Sequence, residues 1–220
     1  MKTCILMPAH NEAAAIANLV RDIRSRQLPV VVVDDGSADG SGPLAKEQGA
    51  VVLTNEVRMG KGNSLQRGFD YILQQDYDNV IVMDSDGQHD VNDLDGFIQM
   101  AKEHPNSIVA GTRMQNVKDM PFVRLWTNRF MSSLISAVCR QNVPDTQCGY
   151  RLISREVLKN IHITSSDFEI ETEILIQASK KGFKIYSVPI KTIYGDEVSK
   201  ISPIKDTWRF IVYLIKEVFS

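Results

Sequence analysis

The chain has 220 residues, 43% of them hydrophobic and 24% charged, and its 25 basic and 27 acidic side chains leave a net charge of −2. These values are typical of a folded globular protein and exclude a disordered or collagen-like chain. The nearly balanced charge argues against a nucleic-acid partner. The longest apolar run, Phe210–Ile215, is far shorter than the roughly 20 residues that span a membrane.

The cysteines and the start of the chain indicate a compartment. Cys4, Cys139 and Cys148 have no metal-binding spacing and make an odd count, which is typical of a reducing cytoplasm. The first apolar stretch is interrupted at Pro8 and is too short for a signal peptide. We therefore expect one cytoplasmic domain that covers residues 1–220.

Short apolar runs alternate along the chain with segments of helical periodicity. A helix with its apolar face at Ile16–Ile23 is predicted after Asn11 as N-cap, and the β-branched run Val30–Val33 predicts a strand. The same pattern predicts further strands near 3–7, 50–53, 80–83 and 107–111, with helices between them. This alternation predicts an α/β fold with a mostly parallel central sheet and helices on both faces.

The second half of the chain is less regular. Residues 122–139 are predicted as a broad amphipathic helix, 168–181 as a helix and 183–190 as a strand. Residues 145–154 pass from irregular structure into a strand. A last helix, apolar on most sides, is predicted at 203–219.

Polar residues follow four of the predicted strands at the points where the strands end. These clusters are 8–12, 34–37, 84–86 and 111–113. Open α/β sheets bind ligands in the crevice outside the carboxyl ends of their strands. The four clusters therefore predict one shared site.

The most informative cluster is Asp84-Ser85-Asp86-Gly87-Gln88. Two carboxylates and an amide oxygen at alternate positions are hard oxygen ligands, which suit Mg²⁺ or Mn²⁺. An EF-hand that began at Asp84 would need Gly and Glu where the chain has His89 and Asp95, so a calcium loop is excluded. A solvated acidic turn is the alternative, but a position at the end of a buried strand favours a metal.

Two further segments suit a nucleotide. Asp34 and Asp35 open a strand-to-helix turn, and a carboxylate there can also accept a base N–H or a ribose hydroxyl. Gly60-Lys61-Gly62 precedes a helix and would let backbone amides approach a phosphate. Neither the P-loop nor the Gly-x-Gly-x-x-Gly motif occurs, which argues against NTPases and NAD enzymes.

In these segments the chain resembles the family 2 glycosyltransferases of GT-A fold. The matching motifs, in chain order, are PAHNE (8–12), VDDGS (33–37), GKG (60–62), DSD (84–86), GTR (111–113) and DTQCGYR (145–151). Within the family, DSDGQH (84–89), DTQCG (145–149) and SKI (199–201) are similar to the dolichyl- or polyprenyl-phosphate mannose and glucose synthases. The match runs over nearly the whole chain.

The resemblance implies a donor site for a nucleotide-diphosphate sugar. The positions that match nucleoside contacts are Pro8, His10, Glu12, Val33 and Asp35. The positions that match the diphosphate and metal segment are Asp84, Ser85 and Asp86, with Asp84, Asp86 and Gln88 as predicted ligands of Mg²⁺ or Mn²⁺. The cations implied near the phosphates are Arg113 and Lys200, which together with Asp86 are predicted to act in catalysis.

The acceptor decides whether a base is needed. A lipid monophosphate, with a second pKa of about 6, is largely anionic at neutral pH and can attack the anomeric carbon directly with inversion. A sugar hydroxyl needs a carboxylate base. The predicted candidates are Glu171, on the inward stripe of its helix, and Glu173, on another side.

These observations predict an inverting, metal-dependent hexosyltransferase that acts on a polyprenyl phosphate of the dolichyl or undecaprenyl type. One alternative is a family 2 enzyme that acts on a saccharide hydroxyl in cell-surface polysaccharide synthesis. Another is a nucleotide-sugar-binding regulatory subunit without turnover.

Two segments are predicted to meet either a membrane or protein. The helix at 203–219 and the segment 118–140, with Trp126, combine apolar and basic residues, which is typical of helices that lie on a bilayer. Docking on the core or on a second subunit is the alternative for both. We expect peripheral contact at the cytoplasmic face of the membrane or a membrane-protein partner.

Overall fold

The structure is a computed structural model that describes residues 1–115, 117, 120, 122–165 and 169–191. The strands in these residues are β1 (Thr3–Ala9), β2 (Val30–Asp35), β3 (Val51–Asn55), β4 (Asn79–Val82), β5 (Ile108–Thr112), β6 (Arg151–Ser154) and β7 (Ile185–Pro189). The α-helices are α1 (Ala13–Ser25), α2 (Ser41–Glu47), α3 (Lys61–Leu73), α4 (Leu94–Glu103), α5 (Phe122–Cys139), α6 (Arg155–Asn160) and α7 (Ile170–Lys180). Lys200 and the predicted helix at 203–219 lie outside the described residues.

The strands form a single seven-stranded sheet in the order β3-β2-β1-β4-β6-β5-β7. Strand β6 is antiparallel to both of its neighbours, and the other neighbouring pairs are parallel. The prediction of a mostly parallel sheet is therefore confirmed. Because β6 lies between β4 and β5, the carboxyl ends of those two strands are separated by two strand spacings, or about 10 Å.

Helices cover both faces of the sheet, as predicted, because the central strands are apolar on both sides. Along β2, Val31 and Val33 belong to the core that also contains residues of α3, α5, α6 and α7. Val30 and Val32 belong to the opposite core, with residues of α1, α2 and α4. Burial on both faces explains why β2 has a continuous apolar run and no alternation with polar residues.

Helix α3 lies unusually close to β1. A Cβ added at Gly68 would come within 2.4 Å of the Leu6 side chain, so only glycine permits this approach. Leu65, Phe69 and Ile72 of α3 are buried in the same contact. This packing holds the first residue of α3, Lys61, at the carboxyl edge of the sheet.

The predicted N-cap of α1 is wrong. The helix begins at Ala13 with Glu12 in the cap position, whereas Asn11 adopts a left-handed φ of 57°. The Asn11 Oδ1 accepts a hydrogen bond from the Ala38 N–H at 2.9 Å. Asn11 therefore ties the end of β1 to the β2–α2 loop, a tertiary contact that competes with capping.

Helix α5 has the bounds that the sequence predicts. None of the helices in the described part of the chain is long and apolar enough to cross a membrane.

Candidate active site

Hydrogen bonds connect the ends of β1, β2 and β4. The His10 Nδ1 lies 2.8 Å from the Asp35 carbonyl oxygen, to which it donates. The Ser85 hydroxyl donates to the Pro8 carbonyl at 2.8 Å. Three of the four predicted polar clusters are thus in direct contact at one edge of the sheet.

Asp35 organises the loop before α3. Its buried carboxylate accepts hydrogen bonds from the Asn55 side chain at 2.8 Å and from the Met59 and Gly60 N–H groups at 2.7 and 2.9 Å. Burial by itself would raise the pKa of Asp35, but these bonds outweigh it and lower the pKa. The ionised carboxylate fixes the backbone that leads directly into Lys61.

Lys61 joins two acidic residues from distant parts of the chain. Its Nζ lies 2.6 Å from Asp84 Oδ1 and 2.8 Å from Glu171 Oε1, and all three side chains are largely buried. Burial opposes the charge on Lys61 and on Asp84. The mutual attraction nevertheless raises the pKa of Lys61 and holds the pKa of Asp84 below its usual range. All three residues were predicted site residues, but their pairing was not.

Two neighbours fix the second oxygen of Asp84. The His89 Nε2 lies 3.5 Å from Asp84 Oδ2, and the His89 ring packs on Tyr150 at a centroid distance of 4.8 Å. A Cβ on Gly149 would lie 2.8 Å from the same oxygen. Sequence reasoning assigned no role to His89 or Gly149, although both lie in the DSDGQH and DTQCGYR motifs.

The predicted metal ligands stand at the same edge of the sheet. Asp86 is partly exposed, and its Oδ1 accepts the Gln88 N–H at 2.9 Å. No group of three His, Cys, Asp or Glu side chains that could hold a metal occurs within the described residues. Asp84, Asp86 and Gln88 nevertheless fit Mg²⁺, because this ion typically takes one or two carboxylates and completes its shell with phosphate oxygens and water.

Arg113 is held at the end of β5 by a buried ion pair. Its guanidinium Nε and Nη2 donate to Asp145 at 2.8 and 2.9 Å, and its backbone N–H donates at 3.1 Å. Asn128 of α5 donates to the same carboxylate at 2.8 Å. Burial would raise the pKa of Asp145, but Arg113 and Asn128 lower it. Asp145 lies in a predicted motif, whereas nothing in the sequence singles out Asn128.

Glu173 is more deeply buried than predicted. Only 1% of the residue is exposed, and its carboxylate accepts the Thr164 N–H and hydroxyl, the Ser165 N–H and the Gln177 amide at 2.7–3.1 Å. Glu173 therefore fixes the segment that leads into α7. Glu171 faces inward, as its place on the helix predicts.

Two other predicted donor contacts occupy different environments. The Val33 side chain is completely buried in the core, so only its backbone can meet a ligand. Glu12 is partly exposed at the start of α1, and its N–H donates to the Ser41 hydroxyl at 2.8 Å.

A nucleotide-sugar type of site on this fold agrees with comparisons with known proteins. The family model described as Glycosyl transferase family 2 matches residues 4–162, and the chain belongs to this family. Mannosyl-3-phosphoglycerate synthase from Rubrobacter xylanophilus superposes with a TM-score of 0.75 at 19% identity, over 99% of this chain and 72% of that one. The predicted GT-A fold is confirmed.

Several relatives are similar over most of their length. Glycosyltransferase AglJ of Haloferax volcanii is 31% identical over 92% of this chain and 67% of its own length. The UDP-N-acetylglucosamine–dolichyl-phosphate N-acetylglucosaminyltransferase of Methanococcus voltae is 28% identical over 87% and 86%. The polyprenol monophosphomannose synthase of Mycolicibacterium smegmatis is 27% identical over 86% and 76%.

Proposed function

We propose that this glycosyltransferase moves a hexose from a nucleotide-diphosphate sugar to a polyprenyl phosphate, with inversion at the anomeric carbon and with Mg²⁺ or Mn²⁺ as cofactor. The names of the Methanococcus voltae and Mycolicibacterium smegmatis relatives support the acceptor class. A solved glucosyl-3-phosphoglycerate synthase from Mycobacterium tuberculosis with the same fold contains Mn²⁺ and UDP, which supports the donor and the metal.

The donor half of the proposal rests on the edge shared by β1, β2 and β4. Asp35 and His10 form a rigid wall for the nucleoside. Asp84, Asp86 and Gln88 would hold the divalent ion, which when bound neutralises charge on the leaving diphosphate. Lys61 adds a fixed cation beside Asp84, and such fixed charges stabilise a leaving group most effectively in a cleft that excludes water.

One observation favours a phosphate acceptor over a sugar hydroxyl: both predicted bases are engaged. Glu171 is ion-paired to Lys61, and Glu173 accepts four hydrogen bonds from the protein. A carboxylate in either state is a poor proton acceptor for a hydroxyl group. A lipid phosphate needs no base, since it is already largely anionic at neutral pH.

Arg113 is suited to receive the acceptor phosphate. Its bidentate pair with Asp145 fixes the guanidinium plane, and guanidinium groups bind phosphate oxygens with strong, directed hydrogen bonds. Lys200, the second predicted cation, lies outside the described residues. We further propose that the protein works at the cytoplasmic face of the membrane, where a polyprenyl phosphate is anchored by its chain.

The test compares acceptors with one donor. Thermal-shift measurements with UDP-, GDP- and dTDP-sugars and Mn²⁺ first select the donor. Transfer is then measured to a polyprenyl phosphate, to the matching polyprenol and to free saccharides, with Asp86→Asn as the metal-site variant. We expect transfer to the phosphate alone, lost in Asp86→Asn.

The base hypothesis is tested with Glu171→Gln and Glu173→Gln. Loss of a base would abolish turnover at all accessible pH values, whereas we expect residual turnover in both variants. Transfer to a saccharide would support the alternative acceptor. Donor binding without any transfer or hydrolysis would support the regulatory-subunit alternative.

A further inference from the structure

Helix α5 carries a row of large apolar side chains that protrude from the protein. Trp126 is 64% exposed and Phe130 is 54% exposed, and the rest of the row is exposed to a similar or greater degree or somewhat less. We define the α5 apolar stripe as Phe122, Val123, Trp126, Phe130 and Leu134. Residues four apart lie on one side of a helix, so Phe122, Trp126, Phe130 and Leu134 form a continuous ridge.

The charges around the stripe are positive. Helix α5 contains no Asp or Glu, and Arg129 lies exposed beside the ridge. Arg140, the residue that follows the helix, is also exposed. Aromatic and aliphatic residues flanked by arginine, without acidic residues, are the composition of helices that lie in the interface of an anionic bilayer.

The opposite face of α5 is anchored in the candidate site. Asn128 donates to Asp145, the partner of Arg113. Ser132 accepts a hydrogen bond from the Thr146 N–H at 3.0 Å in the same segment. The helix therefore has one face against the groups around Arg113 and the other face, with the stripe, directed outward.

We propose that the α5 apolar stripe is a membrane-docking surface that inserts into the interface of a bilayer containing anionic lipid. This inference deepens the proposed function, because it would bring the headgroup region, where a lipid phosphate lies, to the helix that supports Arg113. A second copy of the chain is a weaker fit. A stable dimer buries about 800 Å² per partner from some 20–30 residues, whereas the stripe has five side chains on one helix.

Vesicle flotation tests the surface directly. The full chain is mixed with vesicles of phosphatidylcholine alone or with about one third phosphatidylglycerol. The double variant Trp126→Gln/Phe130→Gln removes the centre of the stripe, and Val51→Gln on β3 is the control, since Val51 is an exposed apolar residue elsewhere.

We expect wild type and control to float with the anionic vesicles. Partitioning of the double variant should fall at least about tenfold, because two aromatic side chains no longer enter the bilayer. Arg129→Gln should lower it a few-fold and reduce its salt dependence. A double variant that floats as well as the wild type, or a wild type that does not float, would overturn the proposal.

Tryptophan fluorescence gives a second measurement that needs no change in the stripe. The chain has two tryptophans, so Trp208→Phe leaves Trp126 as the reporter. We expect its emission to shift to shorter wavelength when anionic vesicles are added. An unchanged spectrum shows that Trp126 stays in water and contradicts docking.

Two competing occupants are separated by further outcomes. If truncation before Ser202 abolishes flotation while the double variant still floats, the C-terminal segment is the membrane anchor and the stripe is not. If the double variant changes a dimer into a monomer in sedimentation without a change in flotation, the stripe binds a second copy.

The catalytic proposal is checked separately with a short, water-soluble prenyl phosphate and no vesicles. Wild type and double variant should transfer to this acceptor at the same rate. Transfer without vesicle binding would leave the proposed function standing and refute docking. Vesicle binding without transfer to any prenyl phosphate would do the reverse.

Discussion

The buried ion pair between Arg113 and Asp145 allows the sharpest prediction about this protein. Asp145→Asn keeps the size of the side chain and removes its charge. Arg113 is 9% exposed and Asp145 is 1% exposed, so water cannot replace the lost partner. The variant leaves a buried guanidinium without its counter-ion.

Removing one partner of a buried ion pair costs about 3–5 kcal/mol. The contacts of Asp145 argue for this range, since its carboxylate accepts two guanidinium bonds, the Arg113 N–H and the Asn128 amide. For a chain of this length, each kcal/mol lowers Tm by about 2–4 °C. We therefore expect Tm to fall by about 6–20 °C.

The assay is equilibrium unfolding in urea at pH 7, with Tm from calorimetry. Asp95→Asn is the matched control, because Asp95 pairs with Arg26 at 3.1 Å but its side chain is 78% exposed. An exposed pair of this kind contributes less than about 1 kcal/mol. A cost of less than about 1 kcal/mol for Asp145→Asn, at an unchanged urea dependence, would refute the reasoning.

The pH dependence gives the same prediction a second check. The pKa of Asp145 is lowered in the folded state, so its stabilisation is present above the unfolded value of about 3.9 and is lost as the pH falls through the folded value. The difference between wild type and Asp145→Asn should be constant from about pH 8 to 5. It should shrink below about pH 4, and a difference that instead grew in acid would contradict the assigned direction.

Three further variants probe the rest of the site. Lys61→Met should destabilise the fold by about 3 kcal/mol and weaken binding of UDP or GDP, because Asp84 and its neighbouring glutamate lose their shared cation; urea unfolding and calorimetric titration measure both, and wild-type stability would contradict the pairing. Glu173→Gln should cost about 1–3 kcal/mol, since its amide nitrogen cannot accept the bonds that hold the segment before α7; increased proteolysis within that segment is the measurement, and unchanged cleavage is the contrary result. Gly149→Ala should displace the Asp84 carboxylate and weaken Mn²⁺-supported nucleotide binding more than it lowers Tm; equal binding would show that Asp84 moves without penalty.

The sequence determines the elements and the motif positions well. Apolar runs and helical periodicity depend on neighbouring residues, so β2, α5 and β7 occur where predicted. Carboxyl ends of parallel strands must meet at one edge, and the DSD and VDDGS clusters accordingly lie together. Charge patterning on α5 is likewise readable, because it requires only the helical repeat.

Pairing between distant groups was decided by the tertiary structure. Lys61 meets Glu171 although 110 residues separate them along the chain, and β6 enters the sheet antiparallel between β4 and β5. A helical repeat indicates that Glu171 faces inward but not which cation awaits it. It also cannot show that Glu173 closes on the loop before its own helix. Such contacts depend on how elements pack in three dimensions, and no local pattern in the sequence records that packing.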